Sequence, residues 1–588
     1  MEKEKNKMKK SARLIALALI MTMGLSLVAC DNNSGRRKSK KRDRDRDREE
    51  TEETEETEET EETEETEETE ETEETTTTTT EETTEETRQT VKPGKKPSAG
   101  ETEVYGENGF MAPVNGCPIE LKPEDERYHY VMDLELVPDD NIVKGHINFT
   151  FYNDTEDDWN ELCMRDYSSL FGDGHGQGFD LKGADTVIEN ITDGKNEYSY
   201  ERDSKDYATI WIDLKSPLKP GEVMTLDYDF ESKIPEVSDR YGVYNNIYNV
   251  TNFYPILAEY ADGEWSHEPF YTAGECFYSE ISDYEVTIKA PEDYIFVSSG
   301  IEVDSDSKDG FVTKKFEADC VRDFVFCASN EFTLETKEYE GVTINVVYNG
   351  VNSKQSDSDM EGAVEKSFET AENSLYAFGD AFGIYPYEEL DIVLAPIDAG
   401  GMEYPNLIII NDAYCKPSYK YVEDYDILEN CVAHEIGHQW FMGIVGSSSG
   451  AEPWLDESVT SYTELVYCEY IASEFGEMTL EGNSKDSYDL VEMEEYLEDY
   501  FPLDRKYSEF PSEGVYVTAA YSIGKAYLYQ LEETIGREEF HAILREYVHR
   551  NAFTNASTDD LLEVIYEYAG TDNEEVNELL IMGLARAK

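Results

Sequence analysis

The segment that most limits how this chain folds is a long, charged, low-complexity run near the N terminus. "RRKSKKRDRDRDREE" is followed by Thr-Glu-Glu triplets to about Thr75, a threonine run and "KPGKKPSAG". Such a segment has almost no apolar surface whose burial would offset the entropy of ordering the chain. We therefore predict a disordered tether over residues 30–103 and confine folding to residues 104–588.

A short apolar run precedes this tether. Lys9, Lys10 and Arg13 lead into "LIALALIMTMGLSLVA", 16 residues that end just before Cys30. The run is shorter than the roughly 20 residues of a membrane-spanning helix and suits a signal peptide over residues 1–29. "LVAC" resembles the bacterial lipoprotein cleavage site, which implies a lipid-modified Cys30 and an extracytoplasmic protein anchored to the cell membrane. An uncleaved signal anchor is the alternative and gives the same topology.

The charge of the chain limits its partners. Lysine and arginine total 50 against 131 aspartates and glutamates, a net charge of −81, of which residues 104–588 carry −70. A strongly acidic surface repels polyanions, so we expect no nucleic acid partner. It favours either solubility or the attraction of cationic peptides, and we take solubility as the main reason.

Hydrophobic periodicity divides residues 104–588 into two domains. Residues 104–335 are strand-like: "HINFTFYN" alternates Ile147, Phe149 and Phe151 with polar neighbours, as in a sheet with one buried face. From residue 336 to 588, helical patterns dominate after a short sheet. We predict an α+β protein, with an N-terminal β-sheet domain followed by a second, mainly helical domain.

The string "VAHEIGHQWF" contains two of the eight histidines of the chain. Apolar residues around it recur at helical spacing, and residues four apart share one helix face, so His434 and His438 can address one metal ion. Glu435 lies one step round the helix, where it can reach a water on that metal. The plainer alternative is a pair of core histidines on an amphipathic helix.

A catalytic zinc needs a third protein ligand and one open position. Glu457, in "WLDESVTSYTE", supplies a carboxylate on a second predicted helix and completes a His-His-Glu set. We predict one Zn²⁺ per chain, held by His434, His438 and Glu457.

"HEIGHQWF" followed by "WLDES" resembles the gluzincin zinc aminopeptidases, the family of aminopeptidase N and the leukotriene hydrolases. The resemblance implies an N-terminal β domain packed over a thermolysin-like zinc metallopeptidase domain. It also implies that Glu435 acts as the general base for attack by a zinc-bound water.

A second stretch, "APIDAGGMEYPNLIII", is similar to the Gly-x-Met-Glu-Asn signature of that family. Gly400, Gly401, Met402 and Glu403 match it, whereas Tyr404 departs from it. The resemblance implies that these four residues bind substrate and that Glu403 holds the free α-ammonium of a peptide. An ordinary Gly-Gly turn with a solvated glutamate is the alternative.

The remaining candidates follow Glu457. Tyr521, 64 residues on and before a predicted helix, matches the catalytic tyrosine of the family, although the neighbouring lysine and glycine are shifted and Tyr516 remains a weaker candidate. Glu464 lies two helical turns after Glu457, and ligand histidines need a hydrogen-bond acceptor behind them. We predict that Glu464 fills that role; an exposed helix glutamate is the alternative.

These features predict a zinc-dependent aminopeptidase that removes N-terminal residues from peptides outside the cytoplasmic membrane. Two alternatives stay open: a zinc endopeptidase, in which Glu403 is incidental, and a surface lipoprotein that only binds.

The lipid anchor can be tested directly. Cys30→Ala removes the thiol that would be acylated, so it should abolish fatty-acid labelling and lipoprotein-type processing, while the wild-type protein should carry the label and partition into detergent. If metabolically labelled wild-type protein carries no fatty acid, a signal anchor replaces the lipoprotein interpretation.

Overall fold

Strands fill the first half of the computed structural model, which describes residues 117–172, 185–261, 263–271, 274, 277–349, 357–416, 426–470 and 500–587. All of these belong to one compact unit of the chain. The predicted signal peptide, Cys30 and the tether lie outside the described residues. Among the helices that are described, none is long and apolar enough to cross a membrane.

The strands of the first half are numbered in chain order. They are β1 (Tyr128–Val137), β2 (Ile142–Tyr152), β3 (Trp159–Arg165), β4 (Thr186–Thr192), β5 (Glu201–Arg202), β6 (Thr209–Leu218), β7 (Val223–Lys233), β8 (Gly242–Tyr244), β9 (Ile247–Val250), β10 (Ile256–Leu257), β11 (Tyr260–Ala261), β12 (Glu264–Trp265), β13 (Ser282–Pro291), β14 (Ile295–Ser298), β15 (Ile301–Lys308), β16 (Phe311–Val321) and β17 (Phe326–Ser329). We call this part the β domain.

A seven-stranded sheet in the order β15-β16-β13-β1-β2-β7-β4 is the largest layer of the β domain. Smaller sheets pair β10-β3-β6-β5, β14-β17-β9-β8 and β11-β12. On β2, Ile147, Phe149 and Phe151 are buried and alternate with more exposed polar residues. This alternation confirms the predicted β-sheet domain, because each inward side chain packs in one core while its neighbours face outward.

The second half, which we call the helical domain, combines short strands with longer helices. Its strands are β18 (Phe332–Tyr339), β19 (Val342–Asn349), β20 (Glu389–Ala395), β21 (Gly401–Met402), β22 (Leu407–Asn411), β23 (Val445–Gly446) and β24 (Thr554–Asn555). Its α-helices are α1 (Asp357–Ala381), α2 (Ile427–Gly437), α3 (Pro453–Tyr470), α4 (Glu513–Val517), α5 (Gly524–Ile535), α6 (Arg537–Asn551), α7 (Thr558–Ala569) and α8 (Glu574–Gly583). A π-helical stretch, Thr518–Ile523, joins α4 to α5. The 3₁₀ turns of both domains are Glu124–Glu126, Pro138–Asp140, Tyr167–Phe171, Asp412–Cys415 and Tyr507–Glu509.

A five-stranded sheet in the order β18-β19-β20-β22-β21 lies at the start of the helical domain. The short strand β21 is at its edge and runs antiparallel to β22. Strand β18 begins at Phe332 and spans the predicted boundary at residues 335 and 336, which stays a prediction. A β-rich first domain followed by a sheet and helices confirms the α+β class.

Buried polar groups join the two domains. Arg322 of the β domain donates to Met442 O at 2.7 Å and to Thr554 O at 2.7 Å, both in the helical domain. Tyr387 of the helical domain donates its hydroxyl to Cys320 O of β16 at 2.9 Å. These contacts satisfy carbonyl groups at the boundary and hold the β domain against the helical domain.

Candidate active site

Helix α2 carries the first two predicted ligands into the protein interior. Asp426 caps the helix by accepting from Glu429 N, so the helix begins about two turns before His434. His434 is 4% exposed and His438 1% exposed. The two imidazole rings lie 4.9 Å apart between centroids on one side of the helix.

Helix α3 brings Glu457 to the same point. Its Oε2 lies 3.6 Å from Nε2 of His434 and 3.5 Å from Nε2 of His438. These distances are too long for good hydrogen bonds, and no donor among the described residues bonds to Oε2. Two donors that each sit about 2.1 Å from a tetrahedral ion are about 3.4 Å apart. The spacing of the three atoms therefore fits a shared metal ion.

A carboxylate lies behind each histidine. Glu464 Oε1 is 2.9 Å from Nδ1 of His434, and Asp456 Oδ1 is 2.9 Å from Nδ1 of His438. Burial disfavours the charged ring of His434, but the nearby carboxylates of Glu457 and Glu464 outweigh burial and raise its pKa to about 9. A proton must leave such a ring before Nε2 can ligate, so cation binding should strengthen as pH rises.

Glu464 has a second partner that holds it in place. Lys525, in the first turn of α5, donates to Glu464 Oε2 at 2.7 Å. Burial alone would raise the pKa of Glu464, but Lys525 and His434 lower it to about 2. The structure thus places the predicted acceptor behind a histidine, fully ionised and anchored to a third helix.

Glu435 points toward the edge strand of the five-stranded sheet. A side chain at Gly401 would place its Cβ only 2.3 Å from Oε1 of Glu435. A larger residue at position 401 would therefore have to displace this buried carboxylate. One oxygen of Glu435, one of Glu403 and one nitrogen of His438 all lie within 4.8 Å of one another.

Of the four residues of the Gly-x-Met-Glu stretch, Gly401 and Met402 form β21, while Gly400 directly precedes it and Glu403 directly follows it. Gly401 pairs with Ile410 and Met402 with Ile409, and Gly400 O accepts from Asn411 N at 3.0 Å. Glu403 is 4% exposed and lines a cavity of about 40 Å³ between the two domains. The structure brings Glu403 to the same buried group as Glu435 and His438.

Tyr521 reaches the ligand group from the π-helical stretch. Its hydroxyl donates to Glu457 Oε1 at 2.5 Å, and its ring stacks on His434 with centroids 5.9 Å apart. A π-helical turn shifts the side chains that follow it, and such turns recur at functional sites. The alternative candidate, Tyr516, instead packs against Tyr507 and Phe510.

The charge of this group favours a cation. Five buried carboxylates converge here, from Glu403, Glu435, Asp456, Glu457 and Glu464. When both histidines are neutral, as metal ligands must be, Lys525 balances only one of those five negative charges. Because unbalanced buried charge is costly, a divalent cation at the three-atom centre stabilises the group.

Sequence reasoning did not identify three residues that support this site. Asp456, Lys525 and Gln439 are adjacent to, or a few residues from, positions that had been singled out. Position in the sequence was the only signal: Asp456 and Gln439 each adjoin a predicted ligand, and Lys525 lies four residues after Tyr521. The contacts themselves join elements that are distant in the chain, and no local pattern encodes them.

Part of the chain matches a known peptidase family. The model of the peptidase family M1 domain matches residues 366–582. "Aminopeptidase M1-B" of Oryza sativa subsp. japonica is 26% identical over 256 residues, 42% of this chain. "Aminopeptidase N" of Streptomyces lividans is 28% identical over 197 residues, 32% of this chain. The aligned parts cover only 27% and 22% of the length of these two relatives.

Solved structures with a similar fold come from Deinococcus radiodurans. A variant of its M1 zinc metallopeptidase matches with a TM-score of 0.56 at 16% identity, over 80% of this chain and 95% of that one. The same protein bound to a Tyr-Ser-Ala substrate matches with a TM-score of 0.54 at 17% identity, over 80% and 95% of the two chains. At this identity the match shows a shared fold across both domains.

A substitution should weaken zinc binding more when the residue contacts the cation directly than when it acts through a ligand. We expect Glu457→Ala, which removes a ligand, to weaken zinc binding at least about 100-fold, and Glu464→Gln, which removes the charge behind His434, to weaken it about 10- to 100-fold. Glu429→Gln changes a carboxylate of α2 that bonds to Lys366 and Tyr467 instead of the ligand histidines, and this variant should bind zinc normally. Competition with a chelator measures all three, and equal affinities would contradict the assignment.

Proposed function

Because this chain belongs to the gluzincin aminopeptidase family, peptidase family M1, we propose that it is a zinc-dependent aminopeptidase. The proposal depends on one observation. A single buried cluster contains a metal site and, beside it, the acidic side chains that such an enzyme needs. His434, His438 and Glu457 surround a metal-sized point, and Glu435 and Glu403 lie next to it. When bound there, zinc lowers the pKa of a water and polarises the scissile carbonyl.

Glu435 is the proposed general base. Its carboxylate is buried against Gly401, within 4.8 Å of a nitrogen of His438, and so beside the cation site without belonging to the ligand set. From that position it takes the proton of the attacking water and later delivers it to the leaving amine. The neighbouring edge strand keeps the carboxylate in place while it does so.

Tyr521 is the proposed donor to the oxyanion of the tetrahedral intermediate. Its phenol already donates to Glu457 Oε1, which places an O–H at the edge of the ligand group. When the carbonyl oxygen of a substrate becomes negative, the hydroxyl can turn from Glu457 to that oxygen. Removal of such a donor costs about 100- to 1000-fold in kcat in comparable sites.

Glu403 is the proposed binding group for the free N terminus. Its carboxylate is buried at the end of β21, close to Glu435 and His438. A charge-assisted hydrogen bond from an α-ammonium would fix the first peptide bond of the substrate beside the cation. As the edge strand of its sheet, β21 also offers backbone groups to which an extended peptide can pair. The Tyr-Ser-Ala complex of the Deinococcus radiodurans protein supports peptides as the substrate class.

We further propose that the enzyme acts outside the cytoplasm, anchored to the bacterial membrane through Cys30. The apolar run of residues 14–29 and the "LVAC" site support this location. As a flexible coil, the tether of residues 31–103 would reach roughly 50 Å from the membrane. The acidic surface of residues 104–588 agrees with peptides rather than nucleic acid as partners.

A single experiment should distinguish the role of the general base from that of the zinc ligands. Glu435→Gln removes the base but no ligand, so the purified protein should retain one zinc and lose at least about 1000-fold in kcat. Glu429→Gln, on the same helix, is the matched control and should keep both zinc and turnover. If the Glu435→Gln protein loses its zinc, or turns over substrate at a near-normal rate, Glu435 is not the general base.

Exopeptidase and endopeptidase differ in their need for a free N terminus. A peptide and its N-acetyl twin should differ at least about 100-fold in kcat/KM, since acetylation removes the cation that Glu403 binds. Glu403→Ala should remove most of this difference by slowing cleavage of the free peptide, whereas Glu388→Ala, an exposed glutamate of the same domain, should preserve it.

The opposite result favours the other candidate. If wild-type protein cleaves both peptides equally, or cuts internal bonds of the blocked peptide first, the enzyme is a zinc endopeptidase.

A further inference from the structure

Tyr404 is the residue at which this chain departs from the family signature. Its side chain extends from the helical domain to the β domain. The ring is 2% exposed, and its hydroxyl lies 2.8 Å from Thr251 Oγ1 and 2.7 Å from Asn252 Oδ1. Both partners belong to the β domain and directly follow β9. An asparagine, as in the family signature, would end well before these oxygens.

The partners of Tyr404 are themselves fixed. Asn252 donates to Asp323 Oδ2 at 3.0 Å, and Thr251 donates to Arg240 O at 2.9 Å. Asn252 has a positive φ of 48°, a conformation that asparagine tolerates better than most residues. The tyrosine hydroxyl therefore binds to a rigid, buried part of the β domain.

The backbone of the same segment is tied to the helix of the histidines. Gln439, one residue after His438, donates through Nε2 to Tyr404 O at 3.1 Å and accepts from Asn406 N at 3.0 Å. The segment that carries Glu403 is thus held on one side by the end of the histidine helix and on the other by the β domain. Glu403 is the residue directly before this double attachment.

From these contacts we infer that Tyr404 is a positioning residue, which uses the β domain to set the distance between the Glu403 carboxylate and the metal site. The inference rests on the proposed aminopeptidase function and adds a device that the family signature lacks. A substrate held by its ammonium reacts efficiently only if its first peptide bond reaches the cation, so small shifts of Glu403 change the chemical step. Loss of the hydroxyl should act on substrates with a free N terminus and spare blocked ones.

The test compares Tyr404→Phe with a matched control in the full-length protein. We expect Tyr404→Phe to lower kcat/KM for a free peptide about tenfold, mainly through kcat, and to leave the N-acetyl twin unchanged. Tyr387→Phe also removes a tyrosine hydroxyl that bridges the two domains, at Cys320 O, and should keep the wild-type ratio between the two peptides. Thr251→Val removes one acceptor of Tyr404 and should lower the ratio in the same direction.

Combining Tyr404→Phe with Thr251→Val distinguishes a shared contact from two separate defects. The ratio compared is kcat/KM for the free peptide divided by kcat/KM for its N-acetyl twin. If the contact between the hydroxyls of Tyr404 and Thr251 is the cause, this ratio falls no further in the double variant than in Tyr404→Phe alone. Zinc content, measured on every variant, should remain at one per chain.

Each other outcome has a defined meaning. A wild-type protein that discriminates and a Tyr404→Phe protein that discriminates equally well would overturn the inference alone. An equal loss of ratio in Tyr404→Phe and Tyr387→Phe would reduce Tyr404 to a general interdomain contact and also overturn it. A wild-type protein that does not discriminate would overturn the aminopeptidase proposal and the inference together.

Discussion

The convergence of buried charge around one point is the constraint on which the rest of this structure depends. Glu457, His434 and His438 lie almost without solvent exposure, and ionised groups in such surroundings are tolerated only with partners. Each histidine therefore has a carboxylate behind it, and Glu464 in turn binds Lys525. These pairs join α2, α3 and α5, so the helices can pack only in the arrangement that closes the site.

The second constraint is the position of the edge strand β21 at the boundary between the helical domain and the β domain. Strand β21 belongs to the sheet of the helical domain, but the residues after it bond to Gln439 on one side and to the β domain on the other. Gly401 allows the strand to approach Glu435 closely. The β domain consequently helps to shape the site, although no predicted metal ligand or catalytic side chain comes from it.

Much of this architecture could be predicted because its signals are local. Periodicity in the sequence predicted the strands of the β domain, and four-residue spacing placed His434 and His438 on one helix face. Glu464 was predicted from its seven-residue spacing to Glu457, and the structure places it behind His434. By contrast, the partners of Lys525 and Tyr404 are far away in sequence, so no spacing could identify them.

The sequence by itself determined the types of groups and their local geometry: two histidines and a base on one helix, a carboxylate on the next, and a glycine-rich strand before an acid. Only the tertiary structure decided which of the other charged residues complete the site, including Asp456 behind His438 and the β-domain oxygens that hold Tyr404. The physical reason is that helical and strand periodicities are set by nearest neighbours along the chain. Contacts between elements are set instead by packing and by the need of each buried charge for a partner.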